Sequence, residues 1–199
     1  MVIKPTHIRS YKLNQLGFGL VELMVSISIM VLVTSVILVN NNSYNGATLL
    51  RNQAYEIALQ LREVQLLAIS ATEAGSGFRN VYGVHFSTST NNTYFIFRDA
   101  NTNYYFDAGS EKLGKQGILD PKFVIDAIRL IGTGAIEDEL SITFKRPNFD
   151  ANFYSESGAA VPASVSAVEI DVRTKGTTGT GNGKIRTVEI TRTGQITVK

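Results

Sequence analysis

A long apolar segment near the N-terminus constrains this chain more than any other feature. The segment covers residues 18–39, and Glu22 is its only ionisable residue. At about 1.5 Å per helical residue it would reach about 33 Å, which is enough to cross the hydrocarbon core of a bilayer. A soluble domain rarely contains such a segment. The 199 residues therefore predict one membrane helix and one globular domain of ordinary size.

Glu22 needs a partner in this apolar setting. A carboxylate inside a membrane helix costs roughly 2.5–3.5 kcal/mol near the bilayer centre and less near an end, so such residues usually have a partner and a function. Cleavage after Gly17 would create an α-amino cation on Phe18 in the same environment. Four residues along one helix is an awkward spacing for such a pair, so we expect the amine to come from the Phe18 of a neighbouring subunit.

The leader before the apolar segment is basic and predicts the membrane topology. It contains Lys4, Arg9 and Lys12 and no acidic residue. Basic residues before the first apolar helix favour a cytoplasmic N-terminus and translocation of the remainder. Without these three, the 19 basic residues fall to 16, against 17 acidic residues, so the remainder is close to neutral. The chain has no cysteine, which excludes disulfides and thiolate metal sites.

Together, Gly17, Phe18 and Glu22 resemble the N-terminus of type IV prepilins and type II secretion pseudopilins. In that family a short basic leader ends in Gly, the next residue is usually Phe, and the fifth residue of the mature chain is Glu. The resemblance implies cleavage between Gly17 and Phe18 by a prepilin peptidase, usually with N-methylation of Phe18. It also implies that Glu22 serves assembly with other pilin or pseudopilin subunits in a helical filament. The resemblance covers residues 1–45, and the remainder of the chain is similar to the family only in its order of one long helix followed by a β-rich domain.

A second helix is predicted beyond the membrane segment. Residues 40–46 are polar and helix-poor, and we interpret them as the membrane exit and a bend. Apolar residues then recur at helical spacing and predict an amphipathic helix over residues 46–74 that packs on a sheet: Leu50, Ala54, Ile57, Leu61, Val64 and Ala68.

The remainder, residues 75–199, is predicted to be β-rich. Val168, Ile170 and Val172 alternate with polar residues, as expected for a half-buried strand. We predict strands over 81–86, 94–98, 123–130, 140–145, 167–173, 185–191 and 195–198. The fold class is therefore α+β and pilin-like. It has a leader (1–17), a transmembrane helix and exit (18–45), an amphipathic helix (46–74) and an antiparallel sheet domain (75–199). The last two strands, with Gly194 at their turn, are similar to GspH/FimT-like minor pilins.

One acidic and Asn-rich segment is similar to a calcium loop. Its candidate ligands, at nearly alternate positions, are Asp99, Asn101, Asn103, Asp107 and Glu111. A calcium loop of this type needs Gly at its sixth position and a bidentate acid at its twelfth, where this chain has Tyr104 and Ser110. The alternative is an Asn-rich turn between strands. We expect no cofactor other than calcium.

The C-terminal tail is basic and could contact DNA. Its basic residues beyond Asp171 are Arg173, Lys175, Lys184, Arg186, Arg192 and Lys199, against the single acid Glu189. Such a patch could hold phosphates, as basic C-terminal residues are thought to do in FimT-like DNA-uptake pilins. The alternative is a set of solvated strand faces. Residues 176–184 lack the spacing of a phosphate loop and predict a mobile hairpin loop instead.

No enzymatic site can be assembled from the sequence. Beyond the leader, His85 is the only histidine, and no nucleophile, base and orienting group can be placed together. We therefore expect a non-enzymatic minor pilin or pseudopilin of a type IV pilus or type II secretion system. It would be anchored in the cytoplasmic membrane with its C-terminal domain outside, and then enter an extracellular or periplasmic filament. The alternatives are a DNA-binding minor pilin and a signal-anchored domain outside any filament.

Overall fold

The computed structural model describes residue 17 and residues 19–70, 81–145, 147–177 and 184–199. The chain divides into two compact units, the first ending at Ser43 and the second comprising Tyr44–Lys199. Most of the leader and Phe18 lie outside the described residues. So do residues 71–80 and most of the predicted loop over 176–184. The predicted domain limits stay predictions.

Helix α1 extends over Leu20–Ile69. In the second unit all six residues of the predicted stripe, from Leu50 to Ala68, are buried and at most 2% exposed, and Ala58 and Gln65 are buried beside them. The amphipathic pattern of this segment is therefore confirmed. The prediction that residues 40–46 are helix-poor is wrong, because α1 continues through them. Asn and Gly each disfavour a helix by no more than about 1 kcal/mol, and helical turns on both sides propagate through them cooperatively.

Ten strands, in the described part of the second unit, form two antiparallel five-stranded sheets. The first sheet contains, in spatial order, β3 (Lys112–Ile118), β2 (Thr93–Asp99), β1 (Val81–Ser87), β6 (Glu139–Phe144) and β7 (Ala151–Ser155). The second contains β10 (Ile196–Val198), β9 (Ile185–Thr191), β8 (Ala167–Thr174), β4 (Phe123–Ile131) and β5 (Ile136–Glu137). A short 3-10 helix, Glu156–Gly158, follows β7.

All seven predicted strands are present, with ends that differ by at most two residues. Three strands were not predicted: β3, β5 and β7. Strand β3 contains Gly114 and Gly117 and shows no alternation of apolar residues. It forms because it pairs with β2 at the edge of the first sheet. Strands β5 and β7 are two and five residues long, too short to show a periodic pattern.

The core of the second unit joins the buried stripe of α1 to the inner faces of both sheets. Its largest members include Phe86 and Phe144 from the first sheet and Ile128 from the second. Val168, Ile170 and Val172 of β8 are all fully buried, as their alternation predicts. The opposite face of each sheet carries polar residues, and that of the first sheet carries aromatic residues as well.

Candidate functional site

The N-terminal part of α1 has the composition of a membrane span. Leu20–Leu38 has a mean hydropathy of 2.4 and none of its residues is buried. The hydroxyls of Ser26, Ser28 and Thr34 donate to the carbonyl four residues earlier, at 2.7–2.8 Å. Their polar groups are thus satisfied within the helix, as a hydrocarbon environment requires. Glu22 remains the only ionisable group of this span.

Glu22 lies in the first turn of α1 and is exposed. The positive end of the helix dipole favours a carboxylate at this position. Gly17 precedes the helix and is exposed, and the carbonyl of Gly19 accepts the first α-helical bond, from the amide of Leu23, at 3.1 Å. The peptide bond predicted to be cut therefore follows a residue outside the helix. Phe18 lies outside the described residues.

The β2–β3 loop (residues 100–111) brings the predicted calcium ligands together. Their oxygens, however, accept hydrogen bonds from backbone amides of the same loop. The Asp99 carboxylate accepts the amides of Thr102 (2.6 Å) and Tyr104 (3.1 Å). The Glu111 carboxylate accepts those of Ala100 (2.9 Å) and Asp107 (3.0 Å).

The remaining acid of this loop is engaged as well. The side-chain amides of Asn101 and Asn103 donate to Asp107 Oδ2 at 2.5 and 3.0 Å. Among the described residues, no group of three or more His, Cys, Asp or Glu side chains is placed to hold a metal ion. The geometry is that of an Asx-rich loop stabilised by its own side chains. Calcium binding stays a prediction.

His85 lies on the outer face of the first sheet and is 6% exposed. Its Nδ1 is 3.0 Å from Ser141 Oγ, and its Nε2 is 4.0 Å from Glu139 Oε2. Burial lowers the pKa of His85 to about 4, and the negative charge of Glu139 opposes this shift in part. Serine, histidine and glutamate are thus adjacent, as in a hydrolase, but Ser141 is fully buried. A substrate carbonyl therefore has no access to its hydroxyl in this arrangement.

Glu139 and Tyr105 complete this cluster. The Tyr105 hydroxyl donates to Glu139 Oε2 at 2.7 Å, and the Ser87 hydroxyl donates to Oε1 at 3.1 Å. The hydrogen bond from Tyr105 lowers the pKa of the Glu139 carboxyl. Burial and, to a lesser extent, the same hydrogen bond raise the pKa of the Tyr105 hydroxyl. Sequence reasoning missed this cluster because its members are up to 56 residues apart. The pairing of β1 with β6 brings them together.

The six basic residues of the tail do not form one patch. Arg173 pairs with Asp126, and Lys199 pairs with Glu169 (3.0 Å) and Glu189. Bonding to Glu189 raises the pKa of Lys199. The Arg192 guanidinium donates to three carbonyls, those of Val161, Pro162 and Val165, at 2.6–2.8 Å. These three basic residues are therefore engaged within the fold.

The other three basic residues cluster at one end of the β8–β9 hairpin. Arg186 is opposite Val172, and the carbonyl of Lys184 accepts the amide of Thr174, next to Lys175. Within the described ranges, none of Lys175, Lys184 and Arg186 forms an ion pair with an acidic residue. This smaller group is what remains of the predicted DNA-contacting patch.

The molecule thus belongs, by architecture, to the pilin-like class: an apolar N-terminal helix precedes a C-terminal antiparallel β domain. The family model for the prokaryotic N-terminal methylation motif matches residues 12–38. This motif is that of the type IV pilin and pseudopilin family, and the chain carries it at the predicted place. The predicted prepilin-type N-terminal motif and the α+β, pilin-like fold are confirmed, and the similarity to GspH/FimT-like minor pilins stays a prediction. No curated protein and no solved structure is significantly similar to the chain.

Proposed function

We propose that this protein is a minor pilin or pseudopilin, a structural subunit of a type IV pilus or of a type II secretion pseudopilus. The observation that carries the proposal is the match of the methylation motif to residues 12–38, which include the first turns of an apolar helix. Proteins with this motif are structural subunits rather than enzymes. The C-terminal β domain then forms the outer surface of the filament.

Assembly follows from the chemistry of the first helical turn. After cleavage at Gly17, the Phe18 amine and the Glu22 carboxylate are opposite charges in an apolar filament core. Each charge is costly to bury alone, so every subunit is driven to place its Glu22 against the Phe18 amine of a neighbour. The exposed apolar side chains of Leu20–Leu38 supply the packing, and the ion pair sets the register.

The proposed function places the precursor in the cytoplasmic membrane and the mature subunit in a filament. The basic leader stays in the cytoplasm, and the apolar helix anchors the precursor in the cytoplasmic membrane with the β domain outside. The prepilin peptidase removes residues 1–17 and Phe18 is N-methylated. The mature subunit then leaves the bilayer for a periplasmic or extracellular filament.

Substitution of Glu22 tests the assembly mechanism. We expect Glu22→Ala and Glu22→Gln to insert into the membrane normally but to be absent from filaments sheared from cells that express the partner subunits. Ser26→Ala is the matched control, because the Ser26 hydroxyl bonds only the carbonyl of Glu22 in its own helix. It should assemble like the wild type. Normal incorporation of Glu22→Ala would contradict the proposed register.

A second candidate function is DNA binding by the outer domain. It is favoured by the group of Lys175, Lys184 and Arg186, whose charges are not neutralised by acids of the described fold. Three phosphate contacts of this kind give binding that weakens with added salt, with little dependence on base sequence. In this alternative the protein is a minor pilin for DNA uptake.

DNA binding has a direct test with an internal control. The chain in detergent micelles is titrated with a double-stranded oligonucleotide at several salt concentrations. Replacing Lys175, Lys184 and Arg186 with Gln should abolish salt-dependent binding, whereas Arg173→Gln, which removes a cation already paired with Asp126, should preserve most of it. Equal losses in both variants, or no binding by the wild type at low salt, would exclude this function.

The third candidate is a signal-anchored domain outside any filament. In that case the membrane helix only tethers the β domain, and the peptide bond after Gly17 stays intact. Cells that lack the prepilin peptidase would then localise the protein as wild-type cells do.

A further inference from the structure

The β2–β3 loop covers the outer face of the first sheet. The Tyr104 ring stacks on Tyr154 of β7, with ring centroids 5.1 Å apart. The Phe106 ring stacks on Phe95 of β2 at 5.2 Å and also contacts Phe97 at 5.5 Å. The loop therefore encloses a small second core on the side of the sheet that faces away from α1.

His85 is the titratable group at the centre of this second core. Its ring meets that of Tyr105 edge-on at 5.3 Å and that of Phe106 at 5.1 Å, so the loop buries the imidazole. Its Nδ1 is bonded to Ser141, whereas its Nε2 is 4.0 Å from Glu139, beyond hydrogen-bond distance. A protonated imidazole would carry one donor without a bonded partner.

The nearest acceptor for that donor already holds the loop. Glu139 Oε2 accepts the Tyr105 hydroxyl, at 2.7 Å, and this bond links the loop to β6. If Glu139 turned toward a protonated His85, its bond to Tyr105 would be weakened or lost. Protonation of the imidazole and attachment of the loop therefore depend on the same carboxylate oxygen.

The closed loop also contains strained backbone. Thr102 and Tyr104 adopt φ angles of 65° and 61°, in the left-handed region that a β-branched or aromatic residue rarely occupies. Residues in this region are strained and persist only where the surrounding structure enforces the conformation. The amides of Thr102 and Tyr104 are held by Asp99. Release of the loop from the sheet would allow part of this strain to relax.

We propose that the β2–β3 loop is an acid-released lid, in which protonation of His85 draws Glu139 away from Tyr105 and frees the loop from the first sheet. Opening exposes the aromatic surface formed by Phe95, Phe97 and Phe106. The device lies wholly within the β domain and does not depend on filament assembly.

The direction of the pH dependence follows from linkage. Burial lowers the pKa of His85 to about 4 in the closed lid, and an exposed imidazole has the ordinary value of 6.5. The open form binds the proton more tightly, so opening is favoured progressively as the pH falls below about 6.5. Between pH 7 and pH 5 the ratio of open to closed lid should rise about twentyfold.

Other charged groups lie near the hydrogen bond between Tyr105 and Glu139, which is the latch of the lid. Lys112 of β3 lies over the Phe95 and Phe106 rings, at 4.4 and 6.0 Å from their centroids. Glu139 favours protonation of His85, and Asp107 and Glu156 act on the Tyr105 hydroxyl. Of these acids, Glu139 is the one that lies near both His85 and Tyr105, so it is the one that changes partner when the lid opens.

Spin labels can measure the opening directly, because the chain has no native cysteine. Ala108 in the loop and Ala163 before β8 are both exposed, so Ala108→Cys and Ala163→Cys provide two label sites. Distances between the labels are measured by pulsed electron spin resonance on the full chain in detergent micelles. At pH 7 we expect one dominant distance, and at pH 5 a second population that grows as the pH falls. A distance distribution unchanged down to pH 4.5 would overturn the proposal.

Two further substitutions separate the latch from a general effect of acid. His85→Phe keeps an aromatic ring between Tyr105 and Phe106 but cannot be protonated, so its lid should stay closed at pH 5. An acid response equal to that of the wild type would overturn the role of His85. Tyr105→Phe keeps His85 but lacks the bond to Glu139, so it should show more open lid at pH 7 and retain the pH response. Wild-type behaviour of this variant would overturn the role of the latch.

Discussion

Gly194, at the turn between β9 and β10, is a residue at which a single methyl group should be strongly destabilising. Its φ is +80°, and a Cβ there would lie 2.0 Å from the carbonyl oxygen of Phe149 and 2.5 Å from Gln65 Nε2. Gln65, from α1, donates to the carbonyls of Phe149 (2.8 Å) and Gly194 (3.1 Å). This side chain therefore joins the helix to two loops of the β domain, and Gly194→Ala would displace it.

The expected loss of stability can be built from three contributions. An alanine in the left-handed region costs about 1–2 kcal/mol. The two hydrogen bonds of Gln65 contribute about 1 kcal/mol each, and because the residue is only 9% exposed, its side-chain amide would lose its partners without gaining full access to water. Gly194→Ala should therefore lower the free energy of unfolding by about 3–5 kcal/mol.

Gly134 provides the matched control. Its φ is +71°, but a Cβ there would meet no atom within 4 Å. Gly134→Ala should therefore cost only the backbone contribution, about 1–2 kcal/mol. The assay is urea unfolding of the full chain in detergent micelles, followed by circular dichroism because the chain has no tryptophan. Equal losses in the two variants would refute the argument from Gln65.

Two more expectations follow from the polar groups of the β domain. Arg129 donates to Asp171 (2.9 Å to Oδ1), which is 2% exposed, so Arg129→Leu should lower the free energy of unfolding by about 2–4 kcal/mol. Asp171→Asn in the same chain should recover part of that loss, and no recovery would contradict it. Because Asp99 and Glu111 are occupied by backbone amides, millimolar calcium should leave the thermal midpoint unchanged. A rise that Asp107→Asn abolishes would show instead that the loop rearranges around the ion.

Local patterns explain why much of the fold could be predicted from the sequence. The stripe from Leu50 to Ala68 and the alternation of Val168, Ile170 and Val172 each reflect one element that buries one face. Strand β3 could not be predicted in this way. Its stability comes from pairing with β2, and such long-range pairing leaves no periodic signal in residues 112–118.

The candidate sites differ in the same way, because a contiguous motif can be read from the sequence and a cluster formed by long-range pairing cannot. The methylation motif is contiguous, so Gly17 and Glu22 could be predicted by reading along the chain. The cluster of His85, Glu139 and Tyr105 could not, because its members become neighbours only through the register between β1 and β6 and the packing of the β2–β3 loop on that sheet.

The basic tail shows the opposite limit of local patterns. Basic residues that lie near one another in sequence suggest one patch, yet alternation along the strands turns them to different faces. Arg173 thereby reaches Asp126, and Lys199 reaches Glu169. Acidic partners distant in sequence cannot be assigned from the tail alone, so the sequence overestimated the positive charge available to a ligand.

The most direct test of the account is the N-terminal mass of the protein extracted from membranes of cells that contain a prepilin peptidase. The account predicts a chain that begins at Phe18, one methyl group heavier than the bare sequence where the residue is N-methylated. A chain that still begins at Met1 would contradict it, because the ion pair between Glu22 and a neighbouring Phe18 amine requires that cut.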